Sequence, residues 1–87
     1  MHIRVKLYAL LDKHLPAGTA SGPTGNEADL DFADGNTVGG VIKHLKVPSE
    51  HCHLVLVNGV FVPPGERDAW ALAEGDHLAV WPPVAGG

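Results

Sequence analysis

Cysteine is almost missing: Cys52 is the single one in 87 residues. That excludes an internal disulfide framework, and residence in a reducing cytoplasm is the simplest expectation. Basic residues are scarce too, six Lys and Arg against ten Asp and Glu for a formal charge of −4. No basic stripe forms, so a nucleic-acid partner finds no support, while the mild acidity suits a basic protein partner. No apolar run approaches the roughly 18–20 residues that cross a bilayer, so no membrane partner is expected. The first residues, Met1 to Lys6, alternate polar and apolar types and lack the long apolar stretch and cleavage site of a signal peptide. Also absent are a phosphate-binding glycine loop, a nucleophile–base pair and an acid–base pair. A chain this short forms one domain with a modest core, which argues against a self-contained enzyme with a deep active site.

What is present is enough apolar material to fold, 45% of residues. Ile3, Val5 and Leu7 alternate with Arg4, Lys6 and Tyr8, and the period of two predicts a strand over 2–10. Residues 16–27 carry breakers and no large apolar side chain, which predicts a mobile loop. Leu30 and Phe32 alternate with Asp29 and Asp31 in a second strand, antiparallel to the first. Thr37 is a candidate N-cap for a helix reaching about Leu45. Its apolar stripe is Val38, Val41, Ile42 and Leu45. Gly39 and Gly40 each oppose a helix by roughly 1 kcal/mol relative to Ala, unless they serve a close approach of the helix to the sheet. The run 53–57 is a strand, Asn58-Gly59 predicts a type I′ hairpin turn, and 60–62 is the return strand. Residues 65–76 read as irregular, anchored by Trp70 and Leu72. The run 77–81 is the last strand, stopped by Pro82-Pro83. One helix on one face of such a mixed sheet of about five strands is an α+β arrangement that matches the ubiquitin-like β-grasp.

The His51-Cys52-His53 triplet invites a metal reading. On a strand, however, the two histidines would share one face with the thiol on the other, and two adjacent ligands do not make a site. No metal is expected. Cys52 has no evident activating partner and is read as a core or half-buried thiol. Phe61 and Trp70 are the candidates for a partner-facing apolar patch, the alternative being that they complete a small core. Phe61 is assigned to the exposed sheet face and Trp81 to the core.

The last third carries a family signature. Val57-Asn58-Gly59, Leu72-Ala73-Glu74-Gly75-Asp76 and the ending Val80-Trp81-Pro82-Pro83-Val84-Ala85-Gly86-Gly87 resemble the MoaD/ThiS family of ubiquitin-like sulfur carriers. The ending is most similar to that of the small subunit of molybdopterin synthase. The resemblance implies that a ubiquitin-activating-type enzyme uses ATP to adenylate the C-terminal carboxylate of Gly87. Sulfur from a persulfide donor then replaces the adenylate, leaving a thiocarboxylate that a larger synthase subunit uses in molybdenum cofactor biosynthesis. The chain itself would bind no cofactor and would not be catalytic alone. A carrier for thiamine or another sulfur metabolite, and a ubiquitin-like protein modifier, remain alternatives.

The expected organisation is a β-grasp domain over 1–83 and a flexible tail over 84–87. Pro83, Val84, Ala85 and Gly86 would insert into a partner's channel. Gly86 and Gly87 have no Cβ and so fit a narrow one. Pro82-Pro83 favours an extended exit, and four further residues reach up to roughly 13 Å.

Overall fold

The computed structural model describes residues 1–83. Its elements are strand β1 (His2–Leu7), a 3-10 helix (Ala9–His14), strand β2 (Glu27–Asp31), helix α1 (Val38–His44) and a 3-10 turn (Ser49–His51). Strands β3 (Leu54–Val57) and β4 (Val60–Phe61), a second 3-10 turn (Pro64–Glu66) and strand β5 (His77–Trp81) follow. The strands form one sheet in the order β2-β1-β5-β3-β4. β1 pairs antiparallel with β2 and parallel with β5, while β5 and β4 both pair antiparallel with β3. The expected α+β, β-grasp arrangement with five strands and one main helix is therefore the observed one.

The period of two sorts the strands into two faces. Ile3, Val5 and Leu7 of β1, Val55 and Val57 of β3, and Leu78 and Val80 of β5 are buried. They pack with Val38, Val41 and Ile42 of α1 and with Leu45, its C-cap, in one cluster. The helix starts as its sequence requires: Thr37 is extended and its Oγ1 accepts the Gly40 N–H at 3.0 Å. The Asn58-Gly59 turn takes positive φ at both residues, +50° and +83°. That is the type I′ geometry which lets two residues join β3 to β4.

Two expectations need correcting. The first strand stops at Leu7 and does not reach residue 10. Tyr8 donates its N–H to Val80 O, and Ala9 then turns to φ +53°. The apolar 9–11 run becomes a 3-10 helix that buries Leu11 and leaves Leu10 80% exposed. The 16–27 segment is a loop up to the start of β2, as expected, with one local restraint. Ser21 and Glu27 exchange backbone hydrogen bonds of 2.7 and 3.1 Å, an isolated bridge that extends β2 toward the loop. Finally, the first glycine of the pair in α1 does serve a close approach, but to the 67–68 backbone and not to the sheet, while Gly40 packs against the Asn36 and Thr37 side chains. Gly39 donates to Arg67 O at 2.8 Å, and a Cβ on Gly39 would lie 3.2 Å from Asp68 Cα.

Candidate functional site

The sheet face turned away from α1 is the surface that leads to the chain's exit. Residues directly opposed on neighbouring strands share a face. Lys6 opposes Ala79, Ala79 opposes Leu56, and Leu56 opposes Phe61, giving one row across four strands. Leu54 opposes Trp81 in the next row. Beyond the end of β1, the Tyr8 ring stacks on Trp81 with centroids 4.1 Å apart and planes 4° from parallel. Phe61 is 48% exposed, while Tyr8, Leu54, Leu56, Ala79 and Trp81 are half-buried. An apolar strip therefore covers the β5–β3–β4 half of this face. A shallow depression of about 430 Å³, bordered by Lys6, Tyr8, Leu56, His77 and Trp81, lies within it.

The other half of the face is charged. Arg4 on β1 bridges two carboxylates of β2, with Nη1 3.0 Å from Glu27 Oε1 and Nη2 2.7 Å from Asp29 Oδ2. The Glu27 hydrogen bond, followed by the Asp29 charge, holds the guanidinium pKa above its ordinary value. His2 sits between Asp31 and Glu74, with Nε2 and Nδ1 at 2.9 and 3.0 Å. The Glu74 carboxyl lies below its usual range, chiefly because it accepts the His2 backbone N–H. The exposed pairs among these contribute little stability, but together with the part-buried Arg4–Glu27 pair they cover the β2 edge with charge and so discourage pairing with another strand.

The two turns carrying the family signature meet at one end of the sheet. Asn58 Nδ2 donates to Asp76 Oδ1 at 2.8 Å, and Asn58 Oδ1 accepts the His77 N–H at 2.9 Å. Asp76 Oδ2 accepts the Ala73 N–H at 2.8 Å. The hairpin turn and the turn preceding β5 are thus tied together by side chains that lie far apart in the chain.

The candidate patch residues are not brought together. Phe61 is on the outer face. Trp70 packs on the helix side, against the core cluster, and its carbonyl accepts the Val38 N–H at 3.0 Å. Trp81, assigned to the core from the sequence, is on the outer face with Tyr8. Its phase is that of exposed His77, not of buried Leu78 and Val80. Tyr8, Leu54, Leu56 and Ala79 were missed; their signal was the apolar residues occupying both phases of β3 and β5. Pro82 is half-buried and Pro83 exposed at the strand's exit. The assigned tail residues Val84, Ala85, Gly86 and Gly87 lie outside the described residues.

His51 closes a 3-10 turn rather than lying on a strand with His53. Among the described residues no group of three or more His, Cys, Asp or Glu side chains could hold a metal. Cys52 is buried, its Sγ 3.5 Å from Pro48 O. Burial pushes the thiol pKa up, against the opposing charge of Arg67, which disfavours the thiolate a nucleophile requires. Among the described residues no helix is long and apolar enough to cross a membrane.

Comparison with known proteins agrees with this geometry. No curated protein matches the chain, but solved structures do. Small archaeal modifier protein 1 of Haloferax volcanii superposes with a TM-score of 0.66 at 26% identity, covering 95% of this chain and 98% of that one. The thiamine biosynthesis protein ThiS of Geobacter metallireducens gives 0.64 at 21%, covering 100% of both chains. A chain from the complex of subunits 1 and 2 of molybdopterin-converting factor of Helicobacter pylori 26695 gives 0.57 at 15%, again with 100% of both covered. The ThiS family model matches residues 18–87, most of the β-grasp together with the whole ending. This chain belongs to the ThiS family, the ubiquitin-like β-grasp sulfur carriers.

Proposed function

We propose that this chain carries sulfur as a thiocarboxylate on the terminal carboxyl group of Gly87 and donates it in molybdopterin synthesis. The observation that carries the reading is that the family match runs through Gly87, while β5, the strand preceding that ending, lies between β1 and β3. A carboxylate is a poor electrophile. An adenylating enzyme joins it to AMP from ATP, releasing pyrophosphate. A persulfide sulfur then attacks the acyl carbon and AMP leaves. A thiol cleaves the S–S bond, and the thiocarboxylate remains. It is a better nucleophile at neutral pH than the carboxylate it replaces.

The chain is not catalytic alone in this reading; it delivers the group in the cytoplasm and partners supply the chemistry. The apolar strip of Leu54, Leu56, Phe61, Tyr8 and Trp81 is the docking surface, and Pro83, Val84, Ala85 and Gly86 enter the partner's channel. Ordering those residues costs on the order of 1–2 kcal/mol each, which docking by the strip offsets. The partners are the adenylating enzyme and a larger synthase subunit. The Helicobacter pylori complex of subunits 1 and 2 supports the second of these.

Intact-protein mass spectrometry tests the reading. Incubation with the adenylating enzyme, ATP and a persulfide donor is expected to add about 16 Da, one oxygen replaced by sulfur. Deleting Gly86-Gly87 should abolish the gain and leave docking intact. Sulfur transfer by the truncated chain would rule the mechanism out. The likeness to the Haloferax modifier favours a second reading, conjugation of Gly87 to a lysine of another protein. Laddered adducts on denaturing gels would mark it. Supplying sulfur to the thiamine route instead would appear as transfer to that product in place of the pterin.

A further inference from the structure

A buried guanidinium is costly unless acceptors or a carboxylate meet it. Arg67 is 8% exposed. Its Nε donates to Val62 O at 3.3 Å and its Nη1 to Cys52 O at 2.9 Å. Nη2 has no acceptor among the described residues and is closed off from bulk water. No carboxylate among them forms an ion pair with Arg67. The bonds to Val62 O and Cys52 O hold the guanidinium, and the Arg67 backbone is tied to α1 because its carbonyl accepts the Gly39 N–H at 2.8 Å.

This unpaired charge stands in the wall of a half-open groove of about 630 Å³ between α1 and the two 3-10 turns at 49–51 and 64–66. The groove is on the helix side, opposite the apolar strip of the sheet. Ile42, Val47, Cys52 and Pro64 give it an apolar lining, and Lys43 and Ser49 add a second cation and a hydroxyl. Its size is within the roughly 300–1,000 Å³ of small-molecule sites, which combine apolar walls with a few convergent polar groups.

We propose that this groove binds a small organic molecule through a single oxyanion, a carboxylate or a phosphate, which supplies the acceptor Arg67 lacks and faces Lys43. The apolar lining takes the body of the ligand. Glu50 and Asp68 also border the groove; their charges disfavour polyphosphates and polyanions and restrict the ligand to one small anionic group. Reaching Nη2 takes a side-chain adjustment in the wall, so the Arg67 N–H protons are sensitive reporters of binding.

The test is an NMR titration of the full chain with acetate and, separately, inorganic phosphate, against sodium chloride at matched ionic strength. The Arg67 side-chain N–H and the Ser49 and Cys52 amide signals are expected to saturate with acetate or phosphate and not with chloride. The oxyanion that saturates at lower concentration identifies the headgroup. Lys43→Gln, at an exposed position, should weaken the apparent affinity about two- to fivefold without unfolding the chain. Arg67→Lys keeps the charge but loses the planar fork and should abolish saturation. Linear shifts matching those in chloride, or saturation unchanged by Lys43→Gln, would overturn the proposal.

Discussion

Tyr8 and Trp81 lie face to face, ring centroids 4.1 Å apart, joining the end of β1 to the last residue of β5. The stack stands where the described chain leaves the sheet, so it belongs both to the fold and to the proposed docking surface. Stacked pairs contribute about 0.5–1.5 kcal/mol beyond burial. A double-mutant cycle on Tyr8→Ala and Trp81→Ala, followed by denaturant unfolding, is expected to give a coupling in that range. Trp81→Ala should also weaken binding to the adenylating enzyme in calorimetry under conditions where the variant is fully folded. Unchanged binding would remove the stack from the interface.

Gly39→Ala should destabilise the protein although alanine favours a helix by roughly 1 kcal/mol. The new Cβ would overlap Asp68 Oδ1 and lie 3.2 Å from Asp68 Cα. An exposed carboxylate can swing away; the backbone beneath it cannot do so freely. A net loss of about 1–2 kcal/mol in urea unfolding is expected. Asp68→Ala in the same chain should recover only part of it.

Asn58→Ala removes the donor to Asp76 and the acceptor of the His77 N–H together. The expected loss is about 1–2 kcal/mol. Asp76→Ala in addition should cost less than the sum, because the two side chains act as one link. Additive losses in thermal unfolding would show that the two turns are held independently.

Glu74 gives a pH dependence of known sign. Its folded pKa is depressed, so its contribution is present above the unfolded carboxylate range and is lost as pH falls through the folded value. Stability measured by denaturant titration from neutral pH downward should fall less steeply in Glu74→Gln than in the unaltered chain. Equal slopes would mean that the His2 backbone contact does not hold the carboxylate.

The legible parts of the sequence were those fixed by local chemistry. Thr37 ahead of the stripe Val38, Val41, Ile42 and Leu45 carries both the cap and the buried face of a helix. Asn58-Gly59 tolerates the positive φ that its turn requires. Ala9 gives no such signal: nothing about alanine announces a φ of +53°, so the apolar run carries on in the sequence past the strand's end at Leu7. The outward side of Trp81 is legible in the phase of its strand. His77 shares its phase, whereas Leu78 and Val80 form the opposite one, and a charged or polar companion marks the outward side. Arg67 was not legible as buried, since its acceptors, Val62 O and Cys52 O, are backbone atoms brought near only by the fold. The parallel pairing of β1 with β5 joins segments separated by almost the whole chain and leaves no local mark.

That pairing has a mechanical consequence. β5 is flanked by β1 on one side and β3 on the other, hydrogen-bonded along its length to both. A pull along the strand axis at the exit of β5 therefore loads two ladders in shear. An edge strand pulled the same way would have one ladder to resist it. A partner of the kind proposed could draw on the exit of this domain while the scaffold behind it holds its shape.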